Sequence, residues 1–92
     1  MTGVPATVRI YTTGYCGYCR AAERLLDRKG VAYTNTDVTR DPATRRWLVE
    51  ATGRTTVPQV FIDDQPVGGF DDLQALDTRG ELDRLLAGTP TS

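Results

Sequence analysis

The chain has 92 residues, enough for one domain around a single core, and its formal net charge of −1 removes the electrostatic case for nucleic acid or an acidic membrane surface as partner. Hydrophobic residues make up 39% and charged residues 25%, the balance of an ordinary soluble protein. No apolar run approaches the roughly 18 residues that cross a bilayer, and no charged-then-apolar leader opens the chain, so the cytoplasm is the expected location.

Residues 1–6 carry Gly3 and Pro5 and read as a loosely ordered lead-in. Residues 8–11, Val-Arg-Ile-Tyr, alternate apolar and polar types and are rich in strand formers, which predicts a first strand. Thr12, Thr13 and Gly14 break it. From Cys16 to about Lys29, Ala22, Leu25 and Leu26 fall on one face while Arg20, Glu23, Arg24, Asp27 and Arg28 fall elsewhere, which is helical periodicity with Gly30 as its stop. Residues 31–38 contain Tyr33, Thr34 and Thr36 and predict a second strand. With the first strand and helix it makes a right-handed crossover, hence a parallel pair.

Asp41-Pro42 is a strong helix start, an N-cap followed by proline at the first helical position. Trp47, Leu48 and Ala51 are the expected buried stripe of that helix, with Trp47 as a core anchor, and Gly53 ends it. Residues 55–62 predict a strand with Pro58 at its entry. Residues 63–66 turn the chain, and Val67 begins a short return strand, which makes a hairpin. Gly68-Gly69 breaks that strand, and Asp71 or Asp72 caps a helix carrying Leu73 and Leu76, with Leu82, Leu85 and Leu86 after an interruption at Gly80. Residues 88–92 read as a frayed tail. The whole, residues 1–92, is expected to be one α/β domain with a mixed sheet of about four strands flanked by helices.

The two cysteines, Cys16 and Cys19, stand at the point where the first strand gives way to the first helix. Thiols at i and i+3 can face each other across one helical turn, a spacing that admits a reversible disulfide. Closing so short a loop stabilises by about 2 kcal/mol, against about 3 for a loop of about fifteen residues, so the pair is a poor structural staple. Unpaired N–H groups and the positive end of the helix dipole favour an anion at the helix start. Cys16 is therefore expected to be the thiolate nucleophile, and Cys19, one turn inside, the resolving thiol. A zinc site would want four ligands, usually Cys and His, and the chain has two Cys and no His. Two buried hydrophobes are the bland alternative; a C-x-x-C beside a β-α-β pattern favours redox chemistry.

The order strand, C-x-x-C helix, strand, helix, hairpin, helix is the thioredoxin-like arrangement. Cys-Gly-Tyr-Cys at 16–19, Thr-Val-Pro at 56–58 and Gly-Gly-Phe-Asp-Asp at 68–72 narrow it further, and over nearly its whole length the chain resembles a dithiol glutaredoxin. The resemblance implies a cis Val57–Pro58 bond that sets Pro58 against the sulfurs and leaves the Val57 backbone free to pair with an extended peptide, of which glutathione is one. It implies that Gly68 and Gly69 let the backbone approach that ligand. The N–H groups of Phe70, Asp71 and Asp72 would take the carboxylate of its γ-glutamyl end, and the Asp72 side chain the ammonium. Arg45 would meet the glycyl carboxylate, and Tyr18 and Thr56 would line the groove. Thr13 stands where many relatives have a lysine, and Gly17 replaces the more usual proline, as in some iron–sulfur-binding glutaredoxins and in mycoredoxins.

The activity implied is thiol–disulfide exchange. Cys16 attacks a protein disulfide or a glutathione mixed disulfide, Cys19 resolves protein-bound intermediates, and external glutathione restores the dithiol. Glutathione is then a co-substrate, no cofactor is tightly held, and the chain is expected to be a monomer whose partners are glutathione and disulfide-containing or glutathionylated proteins. Three alternatives stay open: a mycoredoxin-like enzyme using mycothiol, a carrier in which Cys16 of two chains and two glutathiones ligate a bridging [2Fe-2S] cluster, and a non-enzymatic interaction module.

Overall fold

In strand β1, Val8–Thr12, residues Val8, Ile10 and Thr12 are buried, while Arg9 is exposed and Tyr11 half-buried, the alternation its sequence predicts. The computed structural model describes residues 6–87. Its other strands are β2 (Thr34–Asp37), β3 (Gln59–Ile62) and β4 (Gln65–Gly68), joined in one sheet of order β2-β1-β3-β4. Ile10 lies opposite Asn35 in the parallel β1–β2 pair and opposite Val60 in the antiparallel β1–β3 pair, so β1 is interior and the sheet is mixed. The expected lead-in and tail lie outside the described residues except for Ala6, whose N–H donates to the Leu86 carbonyl at 3.4 Å.

Helices α1 (Gly17–Arg28), α3 (Phe70–Thr78) and α4 (Glu81–Leu86) cover one face of the sheet. There Ile10, Val60 and Ile62 pack with Ala22, Leu25, Leu26, Leu73 and Leu82, all nearly or fully inaccessible. Each fully buried Leu or Ile contributes about 1.5–3 kcal/mol relative to exposure, so this is the larger store of stability. Helix α2 (Pro42–Thr52) covers the other face with a smaller cluster of Val38, Leu48 and Phe61.

Several boundaries differ from the sequence reading. β2 begins at Thr34, where pairing with Arg9 begins, and Val31 and Tyr33 pack on the core ahead of it. β3 begins at Gln59, directly after Pro58, which has no N–H to give a ladder; the Val57–Pro58 bond is cis. The hairpin turn is only Asp63 and Asp64, both at positive φ (51° and 65°), so Pro66 falls inside edge strand β4, where its missing N–H costs nothing. In α2 only Leu48 is buried. Ala51 is exposed, and Trp47, 43% exposed, stacks on Phe61 at 5.5 Å with its outer side in solvent, so it is a lid on the small core rather than an anchor within it.

Candidate active site

Cys16 is the N-cap of α1, with extended backbone (φ −141°, ψ 107°), and its Sγ accepts the Cys19 N–H at 3.1 Å. The sulfur thus does what a serine oxygen does at a helix start, and it takes one of the N–H groups the first turn cannot pair. No acidic side chain occupies that turn to oppose a negative charge. The Cys16 thiol can also donate to the Val57 carbonyl, 3.7 Å from Sγ, across the cis Val57–Pro58 bond.

Cys19 lies on the core side of the same turn and is fully buried. Burial first, and then the hydrogen bond to Cys16, push its thiol up to about 12, against the smaller opposing effects of the Thr13 backbone and Arg20. Both cysteines are free thiols, one partly exposed and one shielded. Among the described residues no group of three or more His, Cys, Asp or Glu could hold a metal ion.

A groove of about 270 Å³ is lined by Tyr18, Arg54, Thr56, Val57, Pro58, Gly69, Phe70, Asp71 and Asp72. Tyr18, between the two cysteines in the chain, and Val57, whose carbonyl lies 3.7 Å from Cys16 Sγ, join it to the dithiol. Tyr18, 65% exposed, forms one wall with Phe70, their ring centroids 6.3 Å apart. The cis loop before β3 and residues 69, 71 and 72 complete the lining. A larger hollow of about 480 Å³ beside Ile62, Pro66, Leu76 and Leu85 shares none of the groove's residues. Eight of the residues expected at the site therefore share one groove. Arg45 does not: it is half-buried on α2, outside the lining.

Three details of this groove depart from expectation. The N-cap of α3 is Gly69, not Asp71 or Asp72. Asp72 sits three residues on and reaches back, its Oδ2 accepting the Gly69 N–H at 3.0 Å. Gly68, at φ 120°, makes its close approach to the protein's own Asp72, since a Cβ there would overlap that carboxylate, with Cγ at 2.7 Å. Arg54, which sequence reasoning passed over as a site residue, places its Nη1 2.6 Å from Asp72 Oδ2. Together Arg54 and the Gly69 N–H hold the Asp72 carboxyl below the usual carboxylate range. Gln59 was also missed: it is buried, and its Nε2 donates to the Thr56 carbonyl at 2.9 Å, which steadies the cis loop. The Arg54-to-Gln59 run was legible as a motif, but nothing local showed what its side chains reach.

A family model described as Glutaredoxin matches residues 8–67, a span that includes both cysteines and the Val57–Pro58 bond. The chain belongs to the glutaredoxin family. It is 51% identical over 81 residues to glutaredoxin 3 of Escherichia coli (strain K12), covering 88% of this chain and 98% of that one. It is 48% identical over 80 residues to a glutaredoxin of Pseudomonas aeruginosa, covering 87% and 95%. Among solved structures it is similar to a buckwheat glutaredoxin–glutathione complex (TM-score 0.84, 30% identity, 88% of this chain and 76% of that). It is also similar to the glutaredoxin of Brucella melitensis in solution (TM-score 0.83, 45% identity, 92% of each). As a glutaredoxin the chain is a thiol–disulfide oxidoreductase with a Cys16–Cys19 dithiol on a thioredoxin-like fold, and glutaredoxins use glutathione as co-substrate.

Proposed function

We propose that Cys16 is the attacking thiol and Cys19 the resolving one, and that glutathione mixed disulfides lie in the groove with the γ-glutamyl end at residues 69–72. The observation that carries this reading is the meeting of two elements at one sulfur: Cys16 Sγ caps α1 and lies 3.7 Å from the carbonyl of Val57, a residue that lines the groove ending at α3. The Val57 backbone pairs with the extended cysteinyl residue of the ligand. The N–H groups of Phe70, Asp71 and Asp72 take the γ-glutamyl carboxylate, and Asp72 takes the ammonium. Tyr18 and Thr56 flank the peptide, and Arg45, from outside the groove lining, meets the glycyl carboxylate only if the ligand extends past the groove's end.

The chemistry follows from the inequality of the thiols. The Cys16 thiolate attacks the glutathione sulfur of a mixed disulfide, the old S–S bond breaks, and the released protein thiolate takes up a proton. A second glutathione thiolate then attacks that sulfur, giving glutathione disulfide and free Cys16. With a protein disulfide the new bond joins Cys16 to the substrate. Cys19 attacks Cys16, its proton goes to the departing thiolate, and two glutathiones later reduce the Cys16–Cys19 disulfide. Such cycling belongs in a reducing compartment, the cytoplasm, and the chain acts there as a monomer.

The test is disulfide reduction coupled to glutathione reductase, run beside a mycothiol-coupled assay, with size-exclusion chromatography of the reduced protein. Turnover supported by glutathione in a monomer is the expected result. Turnover with mycothiol alone would overturn the assignment of the thiol, and a colourless protein without turnover in either assay would leave only a binding module.

A further inference from the structure

Among the described residues Arg54 is the one basic side chain lining the groove, and it is held at both ends. Its backbone N–H donates to Thr52 Oγ1 at 3.0 Å, and its guanidinium meets Asp72 Oδ2 at 2.6 Å. That same oxygen already accepts the Gly69 N–H, while Oδ1 of Asp72 has no hydrogen bond among the described residues. The two side chains are 50% and 40% exposed, and an ion pair so open to water contributes little to folding. It is therefore readily exchanged for contacts with a ligand. The pair presents one cation and one anion side by side at the start of α3, the charge-reversed counterpart of an α-ammonium and α-carboxylate on a single carbon.

We propose that Arg54 is a specificity residue for the γ-glutamyl end of the substrate: as the mixed disulfide binds, the Arg54–Asp72 pair opens into two ligand pairs, Asp72 with the α-ammonium and Arg54 with the α-carboxylate. This rests on the reading that the γ-glutamyl end lies at residues 69–72. The exchange is selective because it is balanced. A thiol with the ammonium alone would draw Asp72 away and leave the guanidinium unmatched. One with the carboxylate alone would draw Arg54 away and leave Asp72 unmatched, and a loss of this kind disfavours the wrong ligand more than a missing attraction would. A thiol with neither charge leaves the closed pair in place and gains nothing from it.

The experiment uses one peptide carrying three different mixed disulfides. They are formed with glutathione, with 4-aminobutyryl-cysteinyl-glycine, which lacks the α-carboxylate, and with glutaryl-cysteinyl-glycine, which lacks the α-ammonium. KM and kcat are measured for the wild type, Arg54→Gln, Arg54→Lys and Asp72→Asn. Arg54→Gln should raise KM for the glutathione disulfide by about tenfold, the scale of one charge-assisted hydrogen bond, with little change in kcat. It should lower KM for the 4-aminobutyryl disulfide, whose ammonium no longer has to open the Arg54–Asp72 pair, and Arg54→Lys should recover part of the loss for glutathione. An equal rise for both disulfides would overturn the proposal and reduce Arg54 to a positioning residue for Asp72. A fall in KM for the glutathione disulfide would overturn it too, making Arg54 only a competitor for the Asp72 carboxylate. Asp72→Asn separates the underlying reading: if it affects the glutathione and glutaryl disulfides alike, the ammonium is not at Asp72 and the placement of the ligand itself fails.

Discussion

The Cys19 backbone N–H donates to Cys16 Sγ at 3.1 Å, so the peptide group of the shielded cysteine supports negative charge on the accessible one. The same turn buries the Cys19 side chain completely. One helical turn thereby leaves one thiol partly exposed and the other shielded.

We expect Cys16→Ser to reduce exchange to the uncatalysed rate with every substrate. Cys19→Ser should keep activity on a glutathionylated peptide, where one sulfur suffices, and lose most reduction of a protein disulfide. Steady-state rates on the two substrates check this. Equal loss in both variants with the glutathionylated peptide would contradict the roles.

The Cys19 thiol provides a pH test. Its ordinary value of 9.0 is raised to about 12 in the folded chain, chiefly by burial, so folding favours the protonated form. The stabilisation is fully present below pH 9.0 and is lost as pH rises from there through about 12, since the unfolded chain releases the proton first. Urea midpoints measured across that range should fall for the wild type and fall less steeply for Cys19→Ala. At neutral pH, iodoacetamide should label Cys16 and spare Cys19 until urea is added, as peptide mass mapping would show.

Gly68→Ala should both strain the backbone and displace the Asp72 carboxylate, because residue 68 sits at φ 120° and a Cβ there would overlap that side chain. A residue forced into a glycine-only region costs about 1–3 kcal/mol. Chemical denaturation should show a loss of that size, accompanied by a raised KM for glutathione mixed disulfides. A normal KM with lowered stability would detach Asp72 from ligand binding.

Lys29 joins three helices: its Nζ lies 2.5 Å from Asp77 Oδ1 in α3 and 3.0 Å from Asp83 Oδ1 in α4, while its own residue ends α1. Asp77 first, and Asp83 after it, hold the ammonium above the usual lysine range. Lys29→Met should lower Tm, and the gap from wild type should narrow at high salt, where both proteins lose the screened attraction. A salt-independent gap would assign the loss to packing of the aliphatic stem.

Much of the site was legible in the sequence because its determinants are local. Two thiols at i and i+3, a helix start that leaves N–H groups unpaired, a Val-Pro step and a Gly-Gly before acidic residues each constrain the backbone within a few residues. The alternation in β1 and the helical period through Leu25 and Leu26 likewise report burial directly, which is why the order of elements and the mixed sheet could be read in advance. What only the tertiary structure decided is where side chains end and what lies against them. Arg54 meets Asp72 across 18 residues because the cis loop and the start of α3 fold side by side, a contact with no periodic or compositional trace. The same adjacency lets Asp72 reach back to the Gly69 N–H, so that it supports the helix start from inside instead of capping it. Trp47 reads as core by its chemistry, yet only packing could show that α2 covers part of its sheet face and leaves the outer side of the indole in water. Residue type sets what a side chain prefers, while its exposure and charge partners depend on surfaces brought together by distant parts of the chain.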